Sequence, residues 1–299
     1  MALSFGEYYV IVKRILYKLY DKIFEDDVFS YTAQVAFYLS FSLFPLLLFL
    51  VNLFGLILGK ADDLRIELFS YLRQIMPFSA YQLVQKTILE VSENSSSSKL
   101  TIGFLIALWS ASAGMDSLRV ALNKVYELKE TRSWWNTKFQ SLVLTLVLIL
   151  LISLGLAIVF YGWKMLSVLL EAIYLPVPPY SILVVIQWIS FLIVLLLTFG
   201  LLYNFLPNVE EYKHKWISYG SATALVLWLI LTSGFRLYLH FFNNYDKTYG
   251  SLGAVIILML WLYLTSLVIL IGASINSILE NRHHLEPIPE KETEDETAA

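Results

Sequence analysis

The 299-residue chain contains no cysteine, and only 15% of its residues are charged. Without cysteine it cannot form a disulfide scaffold, a thiolate zinc site or an iron–sulfur centre. Low charge together with 58% hydrophobic residues excludes an intrinsically disordered protein, which requires the opposite composition. A net charge of −3 offers no overall basic surface, so we expect no nucleic-acid partner.

The few charges are segregated from six long apolar segments. Only Asp116, Arg119 and Arg236 fall inside these segments. Each segment is long enough to cross about 30 Å of hydrocarbon as a helix, which satisfies its own backbone groups without water. The sequence therefore predicts an all-α, polytopic membrane protein with six transmembrane helices. The predicted spans are 33–58, 100–122, 142–161, 182–206, 217–239 and 252–275.

Residues 1–32 are predicted to form an amphipathic, cytoplasmic N-terminal helix. Apolar side chains recur there at a spacing of three or four residues, and basic side chains occupy the other face. This pattern is typical of an interfacial helix on an anionic leaflet, and a helix packed against the ends of the bundle would show it as well. The basic residues are Lys13, Arg14, Lys18 and Lys22.

The membrane domain is predicted over 33–280, with a long outer loop at 59–99 between the first two spans. Apolar spacing in this loop favours two amphipathic helices, which would form either a lid over an outward-facing cavity or a pair of surface helices. The tail at 281–299 is rich in acidic residues and is expected to be disordered. Lys and Arg are more frequent in the loops on the side of both termini, which predicts cytoplasmic termini.

Polar residues in the second span are the first candidates for function. Asp116, Arg119 and Asn123 are spaced to share one helix face. A charge near the centre of a bilayer costs about 2.5–3.5 kcal/mol on insertion scales. An Asp–Arg pair at this spacing can neutralise itself. It would either lock helix packing near the cytoplasmic end or form part of a polar pathway or gate.

Further candidates lie near the ends of other spans. Arg236 and His240, four residues apart, are either interface residues or members of a pathway. Asn204 stands before Pro207, where the helix must end or kink. Pro45 kinks the first span, as in broken-helix substrate sites and in many ordinary bundles. The other candidates, for close helix packing, are Gly250, Gly253 and Gly272.

Several motifs occur together in an order that resembles a known family. They are AQVAFYLSFSLFP at 33–45, LWSAS at 108–112, LYNFLPN at 202–208, YGSLGA at 249–254 and GASIN at 272–276. The chain resembles the YihY/BrkB family of bacterial inner-membrane proteins, once labelled ribonuclease BN. The resemblance implies six helices, an inner-membrane location and an activity for which transport is the usual suggestion. The family commonly has glutamate at the position of Ser274 and often proline at that of Tyr219.

Catalytic signatures are missing from the sequence. The four histidines and the single intramembrane acid show no metal-ligand spacing, so we expect no metal, cofactor, nuclease or other enzyme. No ATP-binding P-loop occurs. The favoured hypothesis is a transporter or flippase-like protein for a small molecule or lipid, working within the bilayer. The alternative is a structural or assembly protein of the envelope.

Overall fold

The fold is helical throughout the residues that the computed structural model describes, which are 5–42, 70, 85–86, 97–208, 217–241 and 251–280. No strand occurs in these ranges, so the predicted all-α class is confirmed for them. In chain order the helices are α1 (Phe5–Glu25), α2 (28–42), α3 (Ser97–Val125), α4 (Trp134–Ala172), α5 (Tyr180–Phe205), α6 (Tyr219–Phe241) and α7 (Ser251–Glu280).

Four of these helices are long and apolar enough to cross a membrane: α4, α5, α6 and the part Val255–Leu279 of α7. The prediction of several apolar spans is therefore confirmed. The predicted span 100–122 lies within α3, whereas only 33–42 of the first predicted span is described, in α2. The six-span count stays a prediction. The tail 281–299 and nearly all of the outer loop lie outside the described residues.

Helix α4 is much longer than the apolar run that predicted it. Its 39 residues correspond to roughly 58 Å, against about 30 Å of hydrocarbon. The helix begins after Ser133, whose side chain accepts a hydrogen bond from the Asn136 backbone N–H at 3.4 Å. It ends at Ala172, and Tyr174, two residues further on, has a φ of 57°. Hydropathy thus located the membrane part of α4, while capping residues outside the run set its ends.

Helix α3 ends in a reversal that turns the following loop back along the helix. Glu127 adopts a φ of 57°, and the Leu128 N–H donates to the Asn123 carbonyl at 2.8 Å. These are features of a Schellman end, which usually employs glycine. Glu127 instead keeps a side chain that binds Lys22 of α1. The reversal brings loop residues 128–133 beside the last turns of α3.

Helices α3 to α7 close into a ring. Each of them packs against the next along the chain, and α7 returns to pack against α3. The largest fully buried core side chains include Met115, Leu122, Leu206 and Leu270, contributed by α3, α7 and the end of α5. This arrangement gathers the ends of α3, α5 and α7 near the start of α4 and α6.

Helix α1 packs on the outside of this ring, against α7. Its Lys22 ammonium lies 2.6 Å from a Glu127 carboxylate oxygen and 2.9 Å from an Asp26 oxygen. Burial alone would lower the pKa of Lys22, but the hydrogen bonds to Glu127 and Asp26 outweigh it and raise that pKa. Lys22 therefore faces inward as a cation and ties α1 to the end of α3.

Candidate functional site

Asp116 on α3 is bound mainly by residues of α4. Its Oδ2 accepts a hydrogen bond from the Lys138 Nζ at 2.8 Å, and its Oδ1 accepts one from the Ser141 hydroxyl at 2.6 Å. The Arg119 guanidinium lies 4.0 Å away. The expected pairing within α3 is thus secondary, because the packing of α4 brings a closer cation and Arg119 has another partner.

That partner is Glu130, in the loop after α3. Its carboxylate accepts hydrogen bonds from the Arg119 guanidinium, from Arg132 Nε at 2.7 Å and Nη2 at 2.9 Å, and from Asn123 Nδ2 at 3.0 Å. Burial would raise the pKa of Glu130, but the hydrogen bonds from Arg132 and Arg119 outweigh it and lower the pKa to about 2. Glu130 is therefore ionised at any physiological pH.

We call the residues linked to Asp116 and Glu130 the polar network. It comprises Asp116, Arg119, Asn123, Glu130, Arg132 and Lys138. Asn208, just beyond α5, extends this network to a third chain segment. Its backbone N–H donates to Asn123 Oδ1 at 2.8 Å, and its side-chain amide donates to the Lys129 carbonyl and the Thr131 hydroxyl, each at 2.8 Å. Pro207 precedes it, is buried, and ends α5 as a residue without an N–H must. Asn123 thus connects α3 to both the loop and the end of α5.

Exposed tryptophans border the network. The rings of Trp109 and Trp134 are 6.3 Å apart, and Trp135 stacks edge-on against Trp134 at 4.7 Å. The Lys138 ammonium lies 4.5 Å from the centre of the Trp109 ring. Exposed tryptophans of this kind are typical of the boundary between membrane and water. The charges of the network accordingly lie at the ends of α3 and α4.

The described contacts of the other predicted pathway residues lie outside this network. Asn204 donates to the Gly200 carbonyl of its own helix at 2.7 Å. Arg236 and His240 are exposed in the last turns of α6. The first turn of α6 contacts α7 near the network, so these two residues lie at the far end. Pro45 and Gly250 fall outside the described residues.

A second polar cluster surrounds Asn276 of α7. Its Oδ1 accepts from the Gly220 N–H at 2.6 Å, and its Nδ2 donates to the Ser218 hydroxyl at 2.9 Å and to the Tyr126 hydroxyl at 3.2 Å. A side-chain carbon at Gly220 or Gly272 would approach the other helix within 3.0 Å. Both positions therefore lie in a close crossing of α6 and α7.

Two further predicted positions lie on α7. Gly253 is buried in its first turn. Ser274, at the position of the glutamate common in the resembled family, is fully buried, and its hydroxyl donates to the Leu270 carbonyl of the same helix at 2.9 Å.

Sequence reasoning missed Lys138, Glu130 and Arg132 as site residues, whereas it had interpreted Gln187 as an amide that hydrogen-bonds between helices. The first three carry charges in or next to the loop that follows the Asp–Arg span, and that proximity is a signal that could have found them. Gln187 of α5 binds α4. Its amide donates to the Val159 carbonyl at 2.7 Å and accepts from the Trp163 N–H at 3.0 Å.

Within the part of the chain that the structure describes, no group of three or more His, Cys, Asp or Glu side chains could hold a metal ion. The charged network consists instead of alternating cations and anions joined by amides. Such an arrangement can hold helix ends together, and it can exchange partners with a charged ligand.

Comparison with known proteins gives one family and two relatives. The family model described as Virulence factor BrkB matches residues 19–297. Putative ribonuclease-like protein YfkH of Bacillus subtilis (strain 168) is 30% identical over 256 residues, covering 86% of this chain and 91% of the relative. UPF0761 membrane protein IL2447 of Idiomarina loihiensis is 28% identical over 219 residues, covering 73% and 74%. No solved structure matches the chain.

Proposed function

The chain belongs to the Virulence factor BrkB family of membrane proteins, as its motifs indicated, and on this premise we propose that it is a transport protein. The proposed activity is that of a transporter or flippase-like protein for an amphipathic small molecule or lipid. It would lie in the bacterial inner membrane with both termini in the cytoplasm. The family is not a recognised enzyme family, and no ATP-binding P-loop occurs in the sequence.

The observation that carries this proposal is a row of polar side chains that leads from the network along α4 into the span. We call this row, which consists of Asp116, Lys138, Ser141 and Thr145, the polar strip. The Asp116 side chain is 28% exposed and that of Lys138 10% exposed, while Ser141 is fully buried and Thr145 nearly so. The Thr145 hydroxyl donates to the Ser141 carbonyl at 2.6 Å, one turn further into the span. Ionisable side chains on the inner face of a membrane helix are a default indication of a substrate or ion pathway.

In the proposed cycle, the pair formed by Asp116 and Lys138 closes the cytoplasmic end of this strip. Removing one partner of a buried ion pair costs about 3–5 kcal/mol, because the other charge is left uncompensated. An anionic headgroup that binds Lys138 in place of Asp116 keeps the lysine charge compensated, while Asp116 keeps its hydrogen bond from Ser141 and turns to the Arg119 guanidinium, which lies 4.0 Å away. Exchange of partners is therefore the route by which a charged substrate would open the strip.

Water accessibility tests this pathway without knowledge of the substrate. The cysteine-free chain permits Ser141→Cys and Thr145→Cys, with Leu144→Cys as a matched control, since Leu144 is a buried apolar neighbour on the same helix. A small, membrane-impermeant thiol reagent should modify positions 141 and 145 faster than 144 in inside-out vesicles. If all three positions react equally slowly from both sides, the pathway proposal is wrong.

A second candidate function, a structural or assembly protein of the envelope, is favoured by the Glu130 half of the network. Glu130 engages three different donor side chains, and Asn208 fixes the loop to the end of α5. Such a closed set of partners suits a rigid scaffold. Lipid scrambling and solute flux in proteoliposomes distinguish the two. A transporter should lose most flux in Asp116→Asn but not in Glu171→Gln, a control at the far end of α4, whereas a scaffold would show no flux in any form.

The proposed topology can be tested with two further cysteines. Tyr174, between α4 and α5, is 96% exposed, and Lys129 is exposed in the loop before α4. With both termini in the cytoplasm, an impermeant reagent added to spheroplasts should label Tyr174→Cys and not Lys129→Cys. Labelling of Lys129→Cys alone would reverse the orientation.

A further inference from the structure

One face of α1 is apolar, aromatic and uncovered by the rest of the described protein. Leu16, Tyr17, Tyr20 and Phe24 are each more than half exposed. At 100° per residue their positions fall within one sector of about 100°. The rings of Tyr20 and Phe24 lie 4.8 Å apart, and Phe29, past the end of α1, continues the row at 5.9 Å from Phe24. We call these five residues the aromatic face.

The adjoining side of α1, from Lys22 to Ile23, is committed to the protein. Ile23 packs against the core cluster, and Lys22 is held by Glu127 and Asp26. The Lys124 ammonium lies 3.8 Å from the second Asp26 oxygen. These contacts fix the rotation of α1 about its axis, so the aromatic face points away from the bundle in a defined direction.

The identity of the surface that covers this face follows from charge and position. Residues 8–20 carry three basic side chains and no acidic one. The C-terminal end of α1, which Lys22 holds, contacts the C-terminal end of α3. The polar network lies next to this contact, and the exposed tryptophans that border the network indicate the membrane boundary. Tyrosine and phenylalanine next to basic residues suit the headgroup region of an anionic leaflet.

From this juxtaposition we propose that the aromatic face of α1 docks onto the surface of an anionic phospholipid leaflet. The sequence pattern alone grouped Leu16 with Ile15, Leu19 and Ile23 as one apolar face and counted Lys22 among the lipid-facing cations. The structure separates them: Ile23 and Lys22 bind protein, and lipid binding belongs to the aromatic face with Lys13, Arg14 and Lys18. Helix α1 would thereby connect the lipid surface to the end of α3 through Lys22 and Glu127.

The test uses the full chain in vesicles with single spin-labelled cysteines. Tyr20→Cys and Phe24→Cys report the aromatic face, and Glu25→Cys, exposed on the charged side of the same turn, is the matched control. In vesicles of phosphatidylglycerol and phosphatidylcholine, labels at 20 and 24 should collide more with oxygen than with a water-soluble nickel complex, and the label at 25 should show the reverse. Equal accessibility to the nickel complex at all three positions would overturn the proposal.

Two further outcomes are informative. Replacing Lys13, Arg14 and Lys18 with Gln should shift the labels at 20 and 24 toward water in anionic vesicles and leave them unchanged in phosphatidylcholine alone. If the labels sit equally deep in both lipids before replacement, the requirement for anionic lipid is refuted. Spin–spin broadening at 20 and 24 that persists on dilution with unlabelled lipid would assign the face to a second copy of the chain, against the proposal.

Discussion

The crossing of α6 and α7 at Gly220 allows a quantitative prediction for Gly220→Ala. A side-chain carbon there would lie closer than 3.0 Å to the Gly272 carbonyl oxygen and to the Asn276 side chain. The carbonyl is backbone and cannot turn aside by changing rotamer, so the two helices must separate. Separation also stretches the 2.6 Å hydrogen bond from the Gly220 N–H to Asn276.

Three contributions set the size of the effect. Overpacking costs about 1–3 kcal/mol, and weakening the hydrogen bond adds up to about 1 kcal/mol. Alanine regains up to about 1 kcal/mol of helix propensity. Since the last two contributions nearly cancel, the net expectation is a loss of about 1–3 kcal/mol, or a fall in melting temperature of roughly 2–12 °C at about 2–4 °C per kcal/mol.

Gly234→Ala is the matched control on the same helix. No atom lies within 4 Å of a side-chain carbon placed there, so only the gain in helix propensity remains and the melting temperature should stay equal or rise. The eight tryptophans provide the signal for thermal unfolding in detergent. If Gly220→Ala melts as high as Gly234→Ala, the close crossing does not exist as described and the reasoning fails.

Three other substitutions probe the remaining contacts. Glu130→Gln should lower stability by about 1 kcal/mol at neutral pH, allowing for solvent screening. Folding lowers the pKa of Glu130 from 4.5 to about 2. The extra stability of the wild type over Glu130→Gln should therefore be complete above about pH 4.5 and vanish as the pH falls toward 2. Melting curves measured across this pH range would show the loss. Asn276→Leu removes three hydrogen bonds and should cost about 2–4 kcal/mol in the same assay. Gly162→Ala should destabilise the protein, because the new side-chain carbon would lie 2.9 Å from Gln187 Cγ. The same substitution should be tolerated in a Gln187→Ala background. If the two stability losses simply add in this double-mutant cycle, the contact between positions 162 and 187 is contradicted.

The sequence predicted the helices well wherever hydropathy decides them. Apolar runs located α4 to α7, Pro207 correctly indicated where α5 ends, and the spacing of Asp116, Arg119 and Asn123 put them on one face. The length of α4 escaped prediction, because Ser133 and the left-handed Tyr174 lie outside its apolar run and act through backbone geometry.

The partners of the site could not be read from one sequence. Asp116 binds a lysine 22 residues away, and Asn123 binds the backbone of a residue 85 positions away. Helix periodicity predicts which side chains share a face, but it holds no information on which loop folds back onto that face. The pairing within α3 was therefore the natural expectation, and tertiary packing replaced it with closer partners.

The polar network consists of two halves with different expected behaviour. Asp116 and Lys138 form one half, Glu130 and Arg132 belong to the other, and the described contact between the halves is the 4.0 Å approach of Arg119 to Asp116. Transport requires that the first half rearrange while the second continues to hold the helix ends. The stability losses of Lys138→Met and Arg132→Gln should accordingly add within about 0.5 kcal/mol. A coupling above about 1 kcal/mol would show that the halves act as one rigid unit, which is the behaviour of a scaffold.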